Sequence, residues 1–187
     1  MKNICFLVSE GKTKLFFEIS IFLNKKHSIN TFWISPNNRW EKWLIQKGVK
    51  KKNILNISAR YLKNKNQFNL TKINNNEIKY NCYFSKIISY DRILRNKNFK
   101  ISCAYLNNNF NEIESFLSNS KISHVFSEQT WSFEIVTTYV CNYLSIKSIY
   151  LSNTKFPPDD KNGRFSFFEG YKLNTLPKIN NKNVNYK

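Results

Sequence analysis

The segment from Ile122 to Leu151 constrains the fold more than any other part of the chain. Ile122, His124, Val125 and Phe126 mark a buried strand that ends in the polar cluster Ser127, Glu128, Gln129 and Thr130. Phe133, Val136, Val140 and Leu144 then recur at helical spacing, with Thr137 and Cys141 widening the same face. Ser145 to Leu151 reads as a second strand. In an open parallel sheet, ligands lie beyond the carboxyl ends of the strands. Glu128 and the loop after Leu151 are therefore expected to face one crevice.

The rest of the chain repeats the alternation. Ile4 to Val8 is continuously apolar, as a central parallel strand covered on both faces requires. Leu15, Ile19, Phe22 and Leu23 keep helical spacing, and Ile29 to Ile34 supplies the next strand. A short helix carrying Trp40, Trp43 and Leu44 precedes a weak strand at Ile54 to Ile57. The Lys- and Asn-rich stretch from about Ser58 to Asn81 has no legible pattern, and an extended loop with short strands is one arrangement open to it. Phe84, Ile87, Ile88 and Leu94 suggest a helix, Ser102 to Leu106 a short strand, and Phe110, Ile113, Phe116 and Leu117 a further helix. This order predicts an α/β fold, a Rossmann-like doubly wound and mostly parallel sheet in a single domain. The domain is expected over residues 1–173, with 174–187 as a Lys- and Asn-rich tail or the start of a linker.

The 187 residues suffice for one domain with a real core. The formal charge of +18 points toward an anionic partner, yet 25 of the 30 basic residues are Lys interleaved with Asn and Ile, the mixture that A/T-rich codon usage produces. No specific nucleic-acid motif accompanies it. Cys5, Cys82, Cys103 and Cys141 have no Cys-x-x-Cys spacing and read as small reduced hydrophobes. With His27 and His124 the only histidines, no metal site and no cofactor is expected. The apolar run near the amino terminus is too short for a signal-peptide core, and no run is long enough to span a bilayer. The cytoplasm is the expected compartment, with peripheral contact at the inner membrane open to it.

Gly11-Lys12-Thr13, after the first strand, has the ending of a phosphate-binding loop. The glycine that such a loop needs five positions earlier is replaced by Phe6. What remains is a turn whose helix amides can meet an anion, with Gly11 in contact and Glu10 beside it. Glu10 either accepts a proton from a hydroxyl or serves as a capping or surface residue.

Phe126-Ser127-Glu128-Gln129-Thr130-Trp131-Ser132-Phe133-Glu134 and Gly163-Arg164-Phe165-Ser166-Phe167-Phe168-Glu169-Gly170 are similar to two signatures found in the same order in one family. The segment resembles the N-terminal half of bacterial capsule-type surface-polysaccharide biosynthesis proteins, related to two-domain GT-B glycosyltransferases. Lys155, before Pro157 and Pro158, stands where that family usually carries an arginine.

The resemblance implies the acceptor-binding half of a glycosyltransferase. It would be inactive without a donor-binding domain that holds the nucleotide sugar, and its acceptors would be glycans or lipid-linked saccharides. Glu128 is then the candidate base, alternatively a hydrogen-bond partner of sugar hydroxyls or a structural partner of Arg164. Thr130, Trp131, Lys155 and Arg164 join Gly11 as candidate substrate contacts. Trp131 either stacks on a sugar or fills the core, and Arg164 either grips a phosphate or pins its loop. A noncatalytic carbohydrate-binding or assembly subunit is the alternative, and a basic nucleic-acid-binding domain is a weaker one.

Overall fold

Asn3–Leu7 forms strand β1, and its alternation divides the interior in two. Ile4 and Phe6 point to one side of the sheet and Cys5 and Leu7 to the other, and all four are buried. A computed structural model of the chain describes residues 2–58 and 68–153, together with the backbone strand 165–169. The remaining strands are β2 (Asn30–Ser35), β3 (Ile54–Asn56), β4 (Ile122–Ser127), β5 (Lys147–Asn153) and β6 (Phe165–Glu169). They make one sheet in the order β3-β2-β1-β4-β5-β6. The first five are parallel, and β6 runs antiparallel to β5. This is a Rossmann-like α/β sheet with helices on both faces.

Helices α1 (Thr13–His27) and α2 (Asn38–Gln46) cover the face that carries Ile4, Phe6 and Trp33. Phe6 lies at the centre of this layer, with ring centroids 5.4 Å from Phe16, 5.1 Å from Trp33 and 5.0 Å from Phe126. The opposite face is covered by α3 (Leu70–Tyr80), α4 (Phe84–Tyr90), α5 (Phe99–Asn119) and α6 (Ser132–Tyr143). There Phe110 stacks on Tyr80 at 4.5 Å and on Phe84 at 5.4 Å.

Four local expectations are corrected. Ser102 to Leu106 is not a strand but the second turn and beyond of the 21-residue helix α5. All six residues from Ser102 to Asn107 are buried, so the run lacks the polar face by which a helix is recognised. Within the stretch from Ser58 to Asn81, Leu70–Tyr80 forms the helix α3, capped by the Asn69 side chain, which accepts the Lys72 amide at 3.0 Å, while residues 59–67 lie outside the described ones. In α1 the buried face is Thr13, Phe16, Phe17 and Ser20, whereas Phe22 is exposed. Leu94, expected in a helix with Ile88, lies instead in a separate 3-10 turn, Leu94–Asn96.

Among the described residues, no helix is long and apolar enough to cross a membrane. All four cysteines are buried thiols.

Candidate functional site

β1 and β4 lie side by side at the centre of the sheet, and the chain leaves them toward opposite faces, into α1 and α6 respectively. At such a switch point the two exit loops diverge and a crevice opens between them. The loop after β1 is wound tightly round the Ser9 carbonyl. It accepts the amides of Lys12 at 3.1 Å and Thr13 at 2.8 Å, and the Thr13 hydroxyl as well. The polar groups of the Lys12-Thr13 pair are thus spent within the chain.

Glu128, at the end of β4, bridges the two loops. One carboxylate oxygen accepts the Ser9 hydroxyl, and Oε1 lies 2.8 Å from the Lys12 ammonium. Lys12 also donates to the Leu151 carbonyl at 3.3 Å, which ties the end of β5 to the same cluster. The loops after β1 and β4 therefore close on each other through side chains. Any hydroxyl that approaches the Glu128 carboxylate shares it with Ser9 and Lys12.

The backbone from Glu128 to Trp131 curls round a second carboxylate. Gln129 has a left-handed φ of 63°, and its side chain donates to the Thr138 hydroxyl at 2.9 Å. The curl aims the amides of Glu128, Thr130 and Trp131 at Glu134, at 3.3, 2.5 and 3.0 Å. Glu134 is fully buried. Burial pushes its carboxyl up, and the three amides oppose that shift while the nearby Glu128 adds to it. Glu134 is thus the buried acid around which the loop is shaped.

Asp91, between α4 and the 3-10 turn, completes this end of the molecule. Oδ1 accepts the amides of Ile93 at 2.8 Å and Leu94 at 2.9 Å, and Oδ2 accepts the amide of Ser132 at 2.9 Å. Burial alone would raise its carboxyl, but the hydrogen bonds from Ser132, Leu94 and Ile93 outweigh it and hold the group below the usual value. Asp91 takes the first amide of α6, that of Ser132, and Glu134 takes the amide of Trp131 and those of Glu128 and Thr130 in the loop before it. The amides that could meet an anion at this strand end are thus met by the protein's own carboxylates.

Beside this cluster lies a cleft of about 410 Å³. Val8 and Glu10 line it from the loop after β1, Asn37 and Trp40 from the start of α2, and Ser58 from the end of β3. Asp91, Ile93, Tyr105, Trp131 and Phe133 close the other side. Two indoles thus enter the wall, and each carries a guanidinium on its face. Arg39 lies 5.7 Å from the Trp40 ring and Arg92 lies 5.5 Å from that of Trp131.

Of the residues singled out in the sequence, Glu10 and Trp131 line the cleft, whereas Glu128, Thr130 and Gly11 do not. Glu128 sits in the neighbouring Ser9–Lys12 cluster. Thr130 is exposed and contributes its amide to Glu134. Gly11 is exposed, and a Cβ there would meet nothing within 4 Å, so packing does not demand glycine. Lys155 and Arg164 fall outside the described residues, and so does the expected pairing of Arg164 with Glu128.

Sequence reasoning missed Asp91 and the cleft role of Trp40. The one trace of Asp91 is a lone acid just before a turn, the position from which an Asx side chain bonds the backbone two residues on. Among the described residues, no group of three or more His, Cys, Asp or Glu is placed to hold a metal ion. Comparison of the sequence with protein-family models and with curated proteins finds no match.

Proposed function

We propose that this chain is the acceptor-binding half of a glycosyltransferase, with the saccharide held in the cleft between Trp40 and Trp131. The observation that carries this reading is the pair of indoles in one wall system at the carboxyl edge of a parallel sheet. Sugars present apolar C–H faces and polar rims. A cleft with aromatic plates and with Asn37, Ser58 and Glu10 at its edges suits both.

The filled amino terminus of α6 supports an acceptor rather than a donor role. A diphosphate bound at this helix start would have to compete with Asp91 for the Ser132 amide and with Glu134 for those of Thr130 and Trp131. On this reading the donor is held by a second domain or a partner subunit, and surface-polysaccharide synthesis is the process served. Glu10, exposed at the cleft, and Glu128, in the cluster beside it, are the candidate bases on this reading.

The alternative, a noncatalytic carbohydrate-binding subunit, is favoured by one observation. Both oxygens of Glu128 are already engaged, one by Ser9 and one by Lys12, and a base so occupied is not poised to take a proton.

Titration of the 15N-labelled chain with a panel of neutral and acidic oligosaccharides tests the binding claim through the indole resonances of Trp40 and Trp131. Saturable shifts at both, lost in Trp131→Ala, are expected. UDP-, GDP- and CMP-sugars should leave them unmoved. Saturable nucleotide-sugar binding, or silence toward every saccharide, would sink the reading.

A further inference from the structure

We propose that the outer face of residues 83–100 docks on an anionic lipid bilayer and holds the mouth of the cleft against it. The segment comprises α4, the 3-10 turn and the first residues of α5. Its inner side is fixed to the core by Phe84, Ile87, Ile88 and Leu94. The other side carries large apolar groups in water: Tyr83 is 70% exposed, Tyr90 64%, Phe99 54% and Ile93 51%. These are among the most exposed apolar side chains described, and they lie within one short strap.

The same strap is strongly basic. Lys86, Arg92, Arg95, Lys97 and Lys100 are all exposed, and the single acid, Asp91, is buried with its oxygens bonded to backbone amides. Tyr83, Lys86 and Tyr90 follow helical spacing along one face of α4, so the aromatic and cationic groups are interleaved. A surface that mixes Tyr and Phe with Lys and Arg matches the two layers of a bilayer interface. The rings enter the headgroup region while the cations meet anionic lipid. A folded protein partner would not need so one-signed a surface, and a nucleic acid would not need exposed Ile93.

Position supports the choice. Ile93 is both part of the strap and part of the cleft lining, and Arg92 lies over Trp131 in the cleft wall. Docking by this face therefore brings the cleft mouth to the membrane surface. The purpose of that placement rests on the saccharide reading: an acceptor carried on a lipid would reach the indoles without leaving the bilayer.

Flotation of the full chain with vesicles tests the surface itself, using phosphatidylcholine alone and an equal mixture of phosphatidylcholine and phosphatidylglycerol, with no glycan present. The chain should float with the mixed vesicles only. Arg95→Gln combined with Lys97→Gln should weaken binding about 30-fold at low salt, since each basic residue near an anionic surface contributes roughly a factor of five. Lys25→Gln combined with Lys26→Gln removes the same charge at the far end of α1 and should leave binding unchanged. Tyr90→Ser combined with Phe99→Ser should abolish the binding that survives high salt.

Equal weakening by both charge pairs would reduce the effect to net charge and overturn the proposal. So would tight capture of random single-stranded DNA that is lost in the Arg95 and Lys97 variant. The indole titration, run without lipid, separates the two ideas. Lost saccharide binding with intact flotation refutes the cleft reading alone.

Discussion

The Lys12 ammonium lies 2.8 Å from Glu128 Oε1 and joins the loops that leave β1 and β4. Both side chains are partly shielded, so the pair is stronger than a surface contact and weaker than a buried one. A double-mutant cycle with Lys12→Met and Glu128→Gln should give a coupling of about 1 kcal/mol in urea unfolding. A coupling near zero would show that the two loops are held by Ser9 and the backbone alone.

Asp91 binds three backbone amides, so Asp91→Asn turns one amide–acceptor contact into donor against donor. The variant should lose about 2 kcal/mol at neutral pH. Because the folded carboxyl is held below its usual value, its contribution is present above about pH 4 and is lost as pH falls through the folded value. Urea midpoints of parent and variant should therefore converge in acid. A constant gap would place the effect in packing instead.

Glu134 should show the opposite slope. Its carboxyl is raised by burial, so the stability it confers is fully present below the unfolded value near 4.5 and falls as pH rises through the folded one. Relative to Glu134→Gln, the parent should lose stability as pH rises above about 4.5. An advantage that grows with pH would mean that the three amides outweigh burial.

The cysteines should be silent toward an aromatic disulfide reagent at pH 8 in the native state and react fully in guanidinium. Burial raises all four, with Cys82 and Cys141 pushed up to about 12 and Cys103 to about 11. Reaction of even one thiol at the rate of a free peptide cysteine would reveal an opening in the α3–α5–α6 layer.

Strands β1, β2 and β4 are legible in the sequence because a central parallel strand is apolar on both faces, and Ile4 to Val8 or Ile29 to Ile34 can be little else. Helix α3 is not legible, because its buried positions are Ile73, Asn76 and Tyr80, and hydropathy does not count an asparagine as core. The Asn76 amide is nevertheless satisfied inside, donating to Asn107 at 2.8 Å. The start of α5 misleads for the converse reason: covered on every side, it has no polar face to betray its period.

The same division runs through the candidate site. The sequence by itself determined that Glu10, Glu128 and Trp131 stand at the carboxyl ends of strands, since strand ends and helix starts are local matters of periodicity. Only the tertiary structure decided that Glu128 turns to Ser9 and Lys12, that Glu134 and Asp91 fill the amino terminus of α6, and that Trp40 faces the cleft with Trp131. Those outcomes depend on which elements become neighbours. Asp91 and Ser132 are 41 positions apart, and nothing in either local sequence encodes the hydrogen bond that the packing of α4 against α6 creates.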